Sequence, residues 1–323
     1  MNVFSNSETL ITIFGGSGFL GRHVVRALAP LGYRIRAAVR RPDLAGPLQP
    51  LGRVGQIHAV QANLRHPASV EAAVQDASIV INLVGVLFER GRQRFDDVHA
   101  KGAETVARAA AARGARLIHM SAIGADPDGT AGYARSKAAG EQAVRAAVPD
   151  AVIFRPSIIF GPDDAFFNRF AALARMSPVL PLIGGGHTRF QPVFGGDVGA
   201  AVAKAVTGET RPGTTYELGG PEAFTFEQLM TFILKTIERH RLLVPVPFGI
   251  AKLEAQFLQY LPTPLLTPDQ VELLRQDNVV SDAAKAEGRT LEGLGIEPRA
   301  IETIVPSYLW RYRKSGQFRR SMA

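Results

Sequence analysis

The feature that most constrains this chain is a glycine-rich turn set between an apolar run and an amphipathic stretch. Residues 10–14 (LITIF) are continuously apolar, as a strand covered on both faces requires. Gly15-Gly16-Ser17-Gly18-Phe19-Leu20-Gly21 follows, with glycine at the first, fourth and seventh positions. A helical stretch opens at Phe19 and runs to about Leu31, its apolar positions at Leu20, Val24, Ala27 and Leu28. Glycine in the turn lets the backbone approach a pyrophosphate. The helix N-terminus offers N–H groups and the positive end of its dipole, and glycine at the helix start lets helix and strand pack closely. Such a turn alone is weak evidence. Strand, turn and helix in this order supply the context that a dinucleotide site needs.

The pattern continues in alternation. Strands are expected at Arg34–Val39, Ile57–Gln61, Ser78–Val84, Leu117–Ser121 and Ala151–Arg155, and helices at Ser69–Val74, near Asp97–Arg113 and at Tyr133–Val148. Alternation at these lengths implies α/β architecture: a Rossmann-type, doubly wound parallel sheet with right-handed crossovers. Beyond Gly161 the pattern is irregular, resuming as a helix at Asp197–Val206 and a strand near Thr215–Leu218. The expected layout is a nucleotide-binding domain over 1–162 and 193–222. A smaller, mostly helical domain takes 163–192 and 223–312, and 313–323 forms a basic tail.

Where the second strand ends, a carboxylate would hold the ribose 2′-hydroxyl of NAD. This chain has Val39-Arg40-Arg41 there. A guanidinium suits a 2′-phosphate, so NADP(H) is favoured, the plainer alternative being two solvated arginines. By analogy with the fold, Asn63-Leu64 is placed to border the adenine and Leu83-Val84-Gly85 to pass beneath the cofactor. Tyr133-Ala134-Arg135-Ser136-Lys137 sets a phenol and an ammonium one helical turn apart. The lysine favours the phenolate and can bond the nicotinamide ribose. Ser121, at the end of the fifth strand, can orient a carbonyl or hydroxyl. Together the three can form a proton-transfer apparatus beside a hydride carrier.

Composition narrows the classes. With 46% hydrophobic and 20% charged residues the chain is globular and not disordered. It has no cysteine, which removes disulfide and thiolate chemistry. The seven histidines lack ligand spacing, so no metal is inferred. The formal charge of +8 permits anionic partners, but no nucleic-acid-binding signature accompanies it. The one dense basic cluster is terminal: Arg311, Arg313, Lys314, Arg319 and Arg320. No apolar run is long enough to span a bilayer, and the first strand begins too near Met1 to leave room for a targeting peptide ahead of it.

The glycine turn, Ser121, the Tyr133/Lys137 pair and Arg155-Pro156-Ser157 with Phe160-Gly161 resemble the extended and atypical short-chain dehydrogenase/reductase superfamily. Phe14 to Arg22, Val80-Ile81-Asn82-Leu83, Lys137 to Glu141, Pro156 to Asp164, Gln191-Pro192-Val193 and Asp197-Val198 look like the dehydrogenase-like accessory subunit of respiratory complex I, in its alphaproteobacterial form. That resemblance covers most of residues 10–220. It implies a tightly held NADPH with contacts on Gly15, Gly18, Phe19, Leu20, Gly21 and Arg40, to which Asn63, Leu64, Val84, Gly85, Tyr133, Lys137 and Pro156 are added as expected cofactor neighbours. It further implies complex I subunits as partners, on the cytoplasmic face of a bacterial inner membrane.

Leu242 to Leu266 is strongly apolar, with Ile250, Leu253, Phe257, Leu258 and Leu261 on one helical stripe. The stripe either packs against the sheet domain or lies on a membrane or partner, with the basic tail toward lipid headgroups. Two functions therefore stand at this point. One is an NADP(H)-binding accessory or assembly subunit of a respiratory NADH:quinone oxidoreductase. The other is a working NADP(H)-dependent reductase, epimerase or dehydratase using Ser121, Tyr133 and Lys137.

Overall fold

A computed structural model describes residues 6–261, 264 and 266–315. It divides into two compact units, the first made of Met1–Pro156, Gly195–Leu218 and Ser281–Glu297, the second of the remaining segments.

The first unit is built on a seven-stranded sheet. Its strands are β1 (Leu10–Phe14), β2 (Arg34–Val39), β3 (Ile57–Gln61), β4 (Ile79–Asn82), β5 (Arg116–Met120), β6 (Val152–Pro156) and a last strand, Thr215–Leu218. Every neighbouring pair is parallel. From one edge the order is Thr215–Leu218, β6, β5, β4, β1, β2, β3. The chain therefore winds outward one way from β1 and then the other, and the direction reverses between β1 and β4. In an open α/β sheet, ligands bind outside the carboxyl ends of the strands at such a reversal.

Helices α1 (Phe19–Leu28), α2 (Pro67–Val74), α3 (Lys101–Ala111) and α4 (Gly132–Ala147) link the strands. One core cluster joins Phe14 and Val80 of the sheet to Val70, Val106, Ala107, Ala110 and Val144 of the helices. Small residues on α3 and α4 allow close approach. A Cβ on Gly140 would lie 2.2 Å from the carbonyl oxygen of His99. The stretch expected as one helix near Asp97–Arg113 begins with a wider, π-helical turn at Asp96–Ala100. Such turns are frequent at functional sites. The first helix is also shorter than expected: after Leu28 the chain tightens into a 3-10 turn with Pro30 near its start, where proline is tolerated.

The second unit buries an aromatic cluster that includes Phe160, Phe167, Phe190 and Phe226, supplied in part by helices Phe167–Met176 and Phe226–Thr236. The long apolar stretch after Leu242 differs from its expected single helical stripe. Leu242–Val246 is a strand, paired in parallel with Val179–Ile183, and among the described residues of the stretch only Phe248–Leu258 is helical. That helix buries Ala251 and Ala255. Ile250, Leu253 and Phe257 are exposed, the last at 72%, so the stripe is not this helix's packed face. Part of the terminal basic cluster is fastened. Arg313 donates to the carbonyl of Thr236 at 3.0 Å and pairs with Glu238. Arg319 and Arg320 lie outside the described residues. The segment Ser281–Glu297, expected in the smaller domain, groups with the sheet unit. Ser281 N donates to the Glu217 carboxylate and Glu217 N to the Arg289 carbonyl.

Candidate functional site

The glycine turn sits at the reversal point. Gly15 has φ +80°, a conformation that glycine adopts without steric cost. Its N–H donates to the carbonyl of Ala38 at 3.0 Å, and Gly18 N donates back to Gly15 O at 3.0 Å. Gly18 caps α1 in an extended conformation with no side-chain bond, and the first helical turn carries no acidic residue. Arg22 N donates to Gly18 O, so the N–H groups of Phe19, Leu20 and Gly21 have no acceptor within the helix. A Cβ on Gly21 would lie 2.3 Å from Gly15 O and 2.4 Å from Gly16 O. The turn is thus a side-chain-free cradle of backbone donors, which suits a pyrophosphate. From the far side of the reversal Val84 closes on it, its Cγ2 standing 3.3 Å from where a Gly15 Cβ would be.

At the end of β2, Arg40 is exposed, and its Nη1 donates to Gln93 Oε1 at 2.8 Å. Arg41 pairs with Asp43 at 2.7 Å. Past β3, Asn63 bends the chain into α2: its Oδ1 accepts from Arg65 N and its carbonyl from Ser69 Oγ. Leu64 belongs to the buried core and lies against Gly102. Pro156 is buried at the end of β6, and its carbonyl accepts from Ile123 N.

On the other side of the reversal the chain gathers polar groups in a dry place. Lys137 is buried, and its Nζ donates to the carbonyl of Met120 at 3.3 Å. Burial pushes its pKa down to about 8, against the opposing pull of Glu141. Its Nζ stands 5.9 Å from the centre of the Tyr133 ring, and a Cβ on Gly85 would be 3.3 Å from it. Ser121 follows Met120 directly. Its Oγ is buried and is the one buried side-chain polar atom without a hydrogen-bond partner among the described residues. A buried hydroxyl with no partner costs about 1–3 kcal/mol, and a catalytic or ligand-binding role is one reason a fold keeps such a group. The fold therefore brings Tyr133, Lys137 and the end of β5 together.

Two histidines that ligand spacing had set aside belong to this place. Val86 N donates to His99 Nε2 at 3.0 Å, so that nitrogen carries no proton. His99 Nδ1 then donates to Ser136 Oγ at 3.0 Å, and Ser136 donates to the carbonyl of Tyr133 at 2.8 Å. The His99 ring also stands edge-on to Tyr133 and stacked on Phe95. Burial, with the Lys137 charge nearby, pushes His99 down to about 2. The same two causes push His119 down to about 3. His119 Nδ1 meets Asn82 Nδ2 at 3.3 Å, and Asn82 Oδ1 accepts from Val84 N. Both rings are neutral fixtures that hold the loop after β4. His119 had a signal in the sequence, a polar residue inside an apolar strand two residues before Ser121, whereas His99, in Asp97-Val98-His99-Ala100-Lys101, had none.

The residues present fit a bound dinucleotide: a side-chain-free cradle of backbone donors, an exposed guanidinium at the end of β2 without a carboxylate partner among the described residues, and a buried lysine beside a tyrosine. The fold is that of a nucleotide-binding α/β protein. It superposes with a TM-score of 0.73 on an NADPH-dependent quinone oxidoreductase from Escherichia coli, solved with NADPH. That pair is 20% identical, with 93% of this chain and 99% of the other covered. Residues 11–219 match the NAD dependent epimerase/dehydratase family, and the chain belongs to it. The mitochondrial NADH dehydrogenase [ubiquinone] 1 alpha subcomplex subunit 9 of Arabidopsis thaliana is 35% identical over 97% of this chain and 80% of its own length. A ceramide reductase of Caulobacter vibrioides is 40% identical, over 55% of each chain.

Proposed function

We propose that this chain is an NADP(H)-holding accessory or assembly subunit of a respiratory NADH:quinone oxidoreductase, with a structural or regulatory role. The observation that carries the reading is the similarity to the Arabidopsis subunit along nearly the whole chain, the region beyond the nucleotide-binding family match included. The backbone donors of Phe19, Leu20 and Gly21 would receive the pyrophosphate, Arg40 the 2′-phosphate, and Lys137 the nicotinamide ribose. The exposed side chains of Ile250, Leu253, Phe257 and Leu261 supply an apolar face of the kind that marks interaction sites. Complex I subunits are its proposed partners. The membrane surface is a further one, in keeping with attachment at the cytoplasmic face of a bacterial inner membrane. No helix among the described residues is long and apolar enough to cross a membrane. Tagged chain recovered from detergent-solubilised membranes is expected to carry the respiratory enzyme with it. Recovery free of that enzyme, with all of the chain in the soluble fraction, contradicts the proposal.

A second reading is favoured by the orphaned Ser121 hydroxyl and by the similarity to the ceramide reductase. In it the chain reduces a carbonyl. The cofactor supplies hydride when bound. Ser121 Oγ would orient the carbonyl oxygen, Tyr133 Oη would deliver the proton it gains, and the Lys137 ammonium would favour the phenolate left behind. Tyr133→Phe is then expected to lower turnover of a ketone substrate by about a hundredfold or more while sparing NADPH affinity. Equal turnover by both proteins removes Tyr133 from the chemistry.

A further inference from the structure

The ends of β2 and β3 and the segment after β4 bring Arg40, Arg41, Arg65, Arg90, Arg92 and Arg94 to one edge of the cofactor site, and they are not equally neutralised. Arg41 has Asp43 at 2.7 Å, and Arg94 has Glu89 at 2.9 Å. Arg40 and Arg65 have no carboxylate partner among the described residues. Each bonds a neutral acceptor instead: Arg40 the side-chain oxygen of Gln93, and Arg65 the carbonyl of Arg92 at 3.3 Å. Those acceptors are adjacent residues of one short strap, in which Arg90 and Gln93 exchange two backbone hydrogen bonds around Gly91. Two guanidiniums from neighbouring strand ends thus bond consecutive residues of one strap, Arg40 the side chain of Gln93 and Arg65 the backbone of Arg92. Two uncompensated charges placed together call for an anion. A dianionic phosphate would outcompete amide oxygens, because charge-assisted bonds are roughly twice as strong as neutral ones.

We infer that Arg65 is a second specificity-determining residue for the 2′-phosphate of NADP(H), acting with Arg40, and that the strap Arg90–Gln93 holds both guanidiniums in position for it. The inference rests on the proposed cofactor, and it adds a residue from the turn after β3 that the end of β2 does not supply. Neither arginine is buried, so exchange at Arg65 leaves the core untouched.

The test is a titration of the purified full-length chain with NADPH and with NADH. Arg65→Met is expected to weaken NADPH binding at least tenfold and to change NADH binding less than twofold. Arg65→Lys, which keeps the charge, is expected to restore part of the lost NADPH affinity without affecting NADH. Equal loss of both nucleotides in Arg65→Met, or no loss of either, overturns the role of Arg65 while the wild-type preference for NADPH stands. A wild-type chain that binds NADH as tightly as NADPH overturns the cofactor assignment beneath it.

Discussion

Replacing Gly21 by valine is expected to cost the chain its nucleotide, with NADPH affinity falling about a hundredfold or more and the thermal unfolding midpoint falling as well. The first atom of any side chain at this position would lie 2.3 Å from Gly15 O and 2.4 Å from Gly16 O. Both are backbone atoms, which cannot swing aside as the end of a flexible side chain can. The turn must therefore open, and α1 must draw away from β1. Overpacking of this kind costs about 1–3 kcal/mol in stability. The effect on binding is larger, because the N–H groups of Phe19, Leu20 and Gly21 lose their common aim at the pyrophosphate. Fluorescence titration with NADPH, beside a thermal melt of the same sample, reads both. A folded Gly21→Val variant with wild-type affinity would place the nucleotide elsewhere.

The second large effect is acid destabilisation. His99 and His119 are held neutral in the fold, with pKa values of about 2 and about 3, against about 6.5 in an unfolded chain. Below pH 6.5 the unfolded chain takes up protons that the folded chain does not, so stability falls as pH falls. From pH 7 to pH 5 each histidine removes about 2 kcal/mol, roughly 4 kcal/mol in all. Lys137 acts in a different window. Its folded pKa of about 8 lies below the ordinary 10.5, so stability rises as pH rises between those values. Urea unfolding at pH 7, 6 and 5 measures the acid limb. A variant carrying His99→Asn and His119→Gln should be flatter over that range, and an unchanged slope would show that other groups are responsible.

How much of this was legible in the sequence depends on the interaction concerned. LITIF and the spacing of Gly15, Gly18 and Gly21 announce strand, turn and helix because their constraints are local. The Tyr133–Lys137 pair is legible for the same reason: one helical turn separates the two residues. The π-helical turn at Asp96–Ala100 is not. It answers to the passage of Gly140 beside the His99 carbonyl, a contact distant in sequence. His99 and His119 escape a search for metal spacing because they serve as uncharged hydrogen-bonding parts. Leu242 to Leu266 misleads because an apolar stripe ordinarily faces a core. Here Leu242–Val246 pairs with Val179–Ile183, while Ile250, Leu253 and Phe257 face outward. Arg65 had no local mark, since its significance lies in meeting Arg40 at one strap.

Two facts decide the function of this chain: what the cradle from Gly15 to Gly21 holds and what the chain accompanies. Mass spectrometry of the chain purified gently from its native membranes addresses both at once. The expected result is NADP(H) released from the protein in near-equal amount, together with subunits of the respiratory NADH:quinone oxidoreductase. NAD(H) or no nucleotide at all, from a chain that travels alone, would contradict it.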